Sequence, residues 1–83
     1  MDYFVYMIIS KINNKIISYV GYTKDLTKRI KLHNSSKGAK FTRGKKWKLI
    51  YYKKFKSKVS AMKYEYFLKK NNKLRKTIKS NNL

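Results

Sequence analysis

Arg29 and His33 occupy positions where a helix packed on a core should be apolar. They lie in the segment Lys24–Asn34, just after the strand-like run Ser18–Thr23. At about 100° per residue, Leu26, Arg29, Ile30 and His33 share one stripe, spaced i, i+3, i+4 and i+7. If Leu26 and Ile30 face a core, the guanidinium and the imidazole are held against the sheet that the preceding strand belongs to. A fixed cation beside an imidazole, in a very basic chain, suggests phosphate chemistry. A rotated helix would bury Leu32 instead and send both residues to solvent. The stripe alone leaves the two phases open.

Tyr6 and Tyr19 lie on neighbouring strand-like runs. If the intervening hairpin loop has an even number of residues, both fall on one face, with Gly21 beside them. Glycine inside a strand often marks close approach by a ligand or another backbone. Tyrosine is also simply a good strand residue, so each tyrosine alone says little. Glu65 is the only glutamate. Ala61, Glu65 and Leu68 repeat at i, i+4 and i+7, so Glu65 shares or borders an apolar face. A carboxylate there needs a cation or a metal, and Lys69 at i+4 offers an ordinary alternative partner. The loop Lys37–Trp47 mixes cations, an aromatic, a hydroxyl and glycines. Lys37, Lys40, Thr42, Arg43, Lys45 and Lys46 suit phosphate contacts and Phe41 suits base stacking, with Lys69 as a further cation.

Those residues need elements to hold them. Residues 3–10 and 15–23 read as strands rich in Tyr, Val and Ile, joined by turn chemistry at Lys11–Asn14. Both are apolar on both faces near their centres, so helices should cover the sheet on two sides. Residues 47–55 read as a third strand, and Asn34–Lys46 as a loop. A first helix begins near Thr23 or Asp25. A second is capped by Ser57 or Ser60 and runs to about residue 70. Asn71–Asn72 break it, and a short basic helix follows from 73 to about 79. The order β-β-α-β-α-α predicts an α+β fold, a small three-stranded antiparallel sheet flanked by helices.

The 83 residues fit one domain, 1–83, with a thin margin of stability. No cysteine is present, so disulfides and cysteine-ligated zinc are excluded. The single histidine excludes histidine-rich metal sites. The longest apolar run, Tyr3–Ile9, is too short for a bilayer, which needs about 20 residues. It lacks the basic flank of a signal peptide, so the expectation is a cytoplasmic protein, nucleoid-associated if bacterial, with no membrane role. Twenty-three Lys and Arg oppose three Asp and Glu, a net charge of +20. Nucleic acid is the expected partner, since lysines gain affinity by releasing phosphate counterions. The abundance of Lys, Asn and Ile also follows from an AT-rich genome, which tempers the inference. No P-loop, Rossmann glycine pattern, HExxH or paired carboxylate is present. Metal chemistry must therefore rest on one carboxylate with water and substrate oxygens, an arrangement that suits Mg²⁺.

Together these residues resemble the GIY-YIG endonuclease superfamily. Phe4-Val5-Tyr6 stands where the first motif would be, and Tyr19-Val20-Gly21 looks like the second. Arg29 falls at the family's helix arginine, with His33 one turn later, and Glu65 at its metal-binding glutamate. Gly38–Gly44 is similar to a loop of the short single-domain bacterial members. Phe4 replaces the first motif's glycine, and Asn81 or Asn82 are candidates for a further phosphate-side residue. The resemblance spans about residues 3–79. It implies one-metal phosphodiester hydrolysis, with Tyr6, Tyr19, Arg29, His33 and Glu65 catalytic and Glu65 holding one Mg²⁺ or Mn²⁺. DNA is the expected substrate, structured or damaged DNA within repair or recombination, with specificity supplied by this domain or a protein partner. A non-catalytic nucleic-acid-binding module is the alternative, and a small ribosomal protein a third class.

Overall fold

The computed structural model describes residues 1–82; Leu83, the end of the expected domain, lies outside them. The elements are β1 (Tyr3–Ile12), β2 (Lys15–Thr23), α1 (Leu26–Asn34), β3 (Lys48–Phe55), α2 (Lys58–Lys70) and α3 (Asn72–Asn81). A short 3₁₀ turn, Lys40–Thr42, interrupts the stretch expected to be plain loop. The strands form one antiparallel sheet in the order β2-β1-β3.

Local chemistry explains most boundaries. Asn13 and Asn14 both adopt positive φ, 50° and 64°. This is the two-residue hairpin loop whose twist matches its strands, and asparagine tolerates it. The even loop sets the register, pairing Tyr6 with Gly21 and Ile8 with Tyr19. Asp25 caps α1 by accepting from the Lys28 N–H at 3.0 Å. Ser57 caps α2 through the Ser60 N–H at 3.1 Å. Asn71 ends α2, and its side chain accepts from the Leu74 N–H at 3.0 Å to start α3. Asn72, expected in the break, is already helical. The Arg75 guanidinium donates to the Leu68 and Lys69 carbonyls in the last turn of α2, the first of which also accepts the Asn71 N–H.

Because side chains alternate along a strand, the sheet has two distinct faces. Val5, Met7 and Val20 pack with Ala61, Leu68 and Ile78 under α2 and α3. A register slip between Met7 and Ile8 on β3 leaves Ile50 unpaired, and Ile50 and Tyr51 both join this face. On the opposite face, Tyr6, Ile8 and Trp47 pack with Tyr19, Leu26, Ile30 and Leu49, under α1. Helices thus cover both sides.

Candidate active site

His33 is fully buried, and so fixes the phase of α1 with the Leu26–Ile30 stripe inward. Its Nε2 lies 2.7 Å from the Tyr6 hydroxyl, and its Nδ1 lies 2.9 Å from the Thr42 hydroxyl. The Thr42 hydroxyl donates in turn to the Ala39 carbonyl at 2.8 Å. Tyr6, only 1% exposed, reaches across Gly21 toward the β2 edge of the sheet. A Cβ on Gly21 would come within 2.6 Å of the Tyr6 hydroxyl oxygen, so the strand glycine makes room for the phenol.

Burial raises the Tyr6 pKa above the ordinary phenol value of 10.0. The negative forms of Tyr19 and Glu65 push in the same direction, while Arg29 opposes them. Burial, then the Arg29 charge, lowers His33 from the usual 6.5. At neutral pH the pair is therefore a protonated phenol beside a neutral imidazole.

Tyr19 is half-buried, with its ring edge-on to His33 at 5.2 Å. Phe41 stacks on it at 6.2 Å and 20°, and Lys45 lies 5.3 Å from the Phe41 ring centre. The stretch after α1 is tied down at Asn34. Its side chain accepts the Trp47 N–H at 2.6 Å and donates to the Trp47 carbonyl at 3.1 Å. The Trp47 indole then donates to the Thr42 carbonyl at 2.9 Å.

Arg29 is half-buried and lines a cleft with Tyr3, Tyr22, Lys28 and Lys58, at one end of the β2 edge. Glu65 has a largely buried side chain, 19% exposed, and meets Lys69 at 3.6 Å. Lys69 lines a second cleft with Ser18, Tyr19 and Arg75, farther back along β2. Arg29 approaches from the α1 side and Glu65 from the α2 side, and the Tyr6 phenol senses both charges. No hydrogen bond joins either to the tyrosines among the described residues. The structure thus brings Tyr6, Tyr19 and His33 into contact, while Arg29 and Glu65 line separate clefts and reach the phenol only through their charges.

Two carboxylates lie near this region among the described residues, Glu65 on α2 and Asp25 in the Arg29 cleft, and Asp25 is already engaged. Asp25 caps α1, and Asp2 pairs with Lys54 at 3.8 Å. No cluster of three or more metal-ligating side chains exists among the described residues. A single carboxylate with solvent fits Mg²⁺, which keeps several of its waters, and does not fit an ion that demands a full protein cage.

Of the residues expected to meet nucleic acid, Lys37, Lys40, Arg43, Lys46 and Lys69 are exposed. Lys45 is half-buried, its ammonium donating to the Phe41 carbonyl at 3.0 Å. Thr42 requires correction as a nucleic-acid contact. It is fully buried, and its hydroxyl is committed to His33 and Ala39, so no face remains for a phosphate. Asn82 likewise turns back on its own helix, donating to the Ile78 carbonyl at 2.7 Å. Gly38, in sequence one of the glycines of the basic loop, is more specific than that, since a Cβ there would collide with the His33 Nδ1.

The GIY-YIG catalytic domain matches residues 2–79 of the chain. UPF0213 protein YazA of Bacillus subtilis is 43% identical over 70 residues, covering 83% of this chain and 68% of that protein. UPF0213 protein CPE1444 of Clostridium perfringens is 49% identical over 53 residues, covering 63% of this chain and 57% of its own length. The solution NMR structure of UPF0213 protein BH0048 from Bacillus halodurans matches with a TM-score of 0.50 and 40% identity. That match covers 93% of this chain and 80% of the other.

Proposed function

We propose that this chain, which belongs to the GIY-YIG catalytic-domain family, is a divalent-metal-dependent endonuclease that hydrolyses phosphodiester bonds in DNA. The observation that supports this most is the Tyr6–His33 hydrogen bond, with Arg29 and Glu65 both within electrostatic reach of the phenol. In this reading Arg29 holds the scissile phosphate and meets the charge that develops on its oxygens. Tyr6 takes a proton from the attacking water as it passes its own to the Nε2 of His33. The water oxygen bonds to phosphorus, and the bond to the leaving sugar oxygen breaks. The relay spares Tyr6 a free phenolate, which its burial disfavours, and the charge it places on His33, opposed by burial and Arg29, is transient. Tyr19, edge-on against His33 and beside Tyr6 over Gly21, orients the water. Glu65 would hold the Mg²⁺ or Mn²⁺ ion, which supplies Lewis-acid charge at the phosphate when bound. Lys37, Lys40, Arg43, Lys45, Lys46 and Lys69 hold the flanking backbone. The +20 charge supports a polyanionic partner. Structured or damaged DNA in repair is the substrate we favour, with action in the cytoplasm at the nucleoid. No helix among the described residues is long and apolar enough to cross a membrane.

Purified protein incubated with nicked, flapped, branched and single-stranded DNA tests the reading. Cleavage should need Mg²⁺ or Mn²⁺ and fall about a thousandfold in Glu65→Gln and Arg29→Ala while DNA binding persists. Binding without cleavage on any substrate would support the second reading, a non-catalytic nucleic-acid-binding module. The burial of Tyr6 is the observation in that reading's favour.

A further inference from the structure

We propose that Thr42 is a positioning residue that fixes the tautomer of His33 and so the direction in which the Tyr6 proton moves. The catalytic consequence rests on the nuclease reading above; the tautomer itself does not. The argument counts hydrogens. The Thr42 hydroxyl has one, and it lies 2.8 Å from the Ala39 carbonyl, which can only accept. Thr42 therefore donates to Ala39 and presents only lone pairs to His33, 2.9 Å away. The His33 Nδ1 must then carry the hydrogen and donate it. A neutral imidazole has a single N–H, so Nε2 is left bare. It accepts from the Tyr6 hydroxyl at 2.7 Å. The network runs one way, from phenol to imidazole to threonine to backbone carbonyl.

The opposite tautomer is closed off. A bare Nδ1 would face the threonine lone pairs, or Thr42 would have to abandon Ala39. A hydrogen on Nε2 would point at the Tyr6 oxygen and leave the phenol nothing to receive its proton. Thr42 cannot swing aside easily. Its backbone N–H also donates to the Ala39 carbonyl, at 3.0 Å, and its own carbonyl accepts the Trp47 indole N–H. Both His33 and Thr42 are fully buried, and Gly38 seals the ring beside Nδ1 so closely that any side chain there would collide. Water therefore has no room to replace the threonine.

The chain's single histidine makes the test unambiguous, because only one imidazole appears in the spectrum. Long-range proton–nitrogen correlation on labelled protein above neutral pH reads which ring nitrogen carries the hydrogen. Wild type should show it on Nδ1; a hydrogen on Nε2 in wild type would overturn the proposal. Thr42→Val should shift the population toward the other tautomer. It should also lower kcat about ten- to hundredfold, up to the lower end of what a general base contributes, with KM little changed. Thr42→Ser should keep the wild-type spectrum and rate. A folded Thr42→Val with an unchanged tautomer, or a folded Thr42→Ser that has lost it, overturns the assignment. Should Thr42→Val not fold, the wild-type and Thr42→Ser spectra decide. If the tautomer behaves as stated but wild type cuts no DNA, the nuclease reading falls and the tautomer assignment stands.

Discussion

The two faces of the sheet are built on different principles. Beneath α2 and α3 the buried residues are Val5, Met7, Val20, Ala61, Leu68 and Ile78, all apolar. Beneath α1 the buried set mixes Tyr6, Ile8 and Trp47 with His33 and Thr42. Ser10 and Thr23, the remaining buried polar residues, also point to that side through the strand register. On the first face, burial stabilises without direction, so volume and shape are what count. On the second, each polar group must meet a particular partner, since a buried unpaired donor or acceptor costs about 1–3 kcal/mol. No buried side-chain polar atom lacks a partner among the described residues. β1 serves both faces by alternation, placing Val5 and Met7 in the core and Tyr6 at the candidate site. One strand therefore anchors the fold and aims the phenol.

This contrast can be broken most sharply at the flanking charges. Glu65→Gln and Arg29→Ala should each lower kcat about a thousandfold, about 4 kcal/mol of barrier, while the thermal midpoint changes little. Neither side chain belongs to the apolar face. Equal losses of stability and activity in these variants would erase the division. Leu68→Ala should do the reverse. It should lower unfolding free energy by about 3 kcal/mol in a urea titration, leaving kcat of the folded protein intact at low temperature. Tyr6→Phe touches both properties. It should cost about a hundredfold in kcat and leave the His33 Nε2 without its donor.

The pH dependence bears on the comparison too: Tyr6 and His33 are shifted on the α1 face, and Tyr64, pushed up to about 12 by burial and the Tyr51 hydroxyl, on the other. His33 has a lowered folded pKa, so below 6.5 the unfolded chain binds protons that the folded chain refuses. Stability should be fully present above 6.5 and fall as pH drops through the folded value. Tyr6 has a raised folded pKa, so the folded chain keeps its proton where the unfolded chain loses it. Stability should be present below 10.0 and fall as pH rises beyond it, and Tyr6→Phe should remove that contribution. Denaturant midpoints measured across pH check both limbs. The smallest effect is expected in the exposed loop. Lys40→Ala should reduce the salt dependence of DNA affinity by about one phosphate contact and leave kcat unchanged.

How much of this could be read from the chain depended on the range of the interaction. Asp25, Ser57 and Asn71 announce the helix starts, because a cap is made within three residues of itself. Asn13 and Asn14 announce the hairpin, and an even turn alone places Tyr6 and Tyr19 on one face. The Lys40–Thr42 turn was harder to read. Its Thr42 looks like one more hydroxyl in a basic loop, and nothing nearby in sequence shows that His33 will cover it. The phase of α1 was similarly open, since Leu26, Ile30 and Leu32 are all apolar and cannot all be central.

The sequence by itself determined the element order, the net charge, the scarcity of carboxylates, and the faces of the strands. Those follow from local conformational preference and from counting residues, and no fold is needed to know them. Only the tertiary structure decided that α1 turns His33 inward, that Gly21 yields its space to the Tyr6 phenol, and that Thr42 is a buried partner. The physical reason is that hydrogen-bond direction depends on which groups meet. The His33–Thr42 and Tyr6–His33 contacts span 9 and 27 residues of chain, and packing alone brings their ends together.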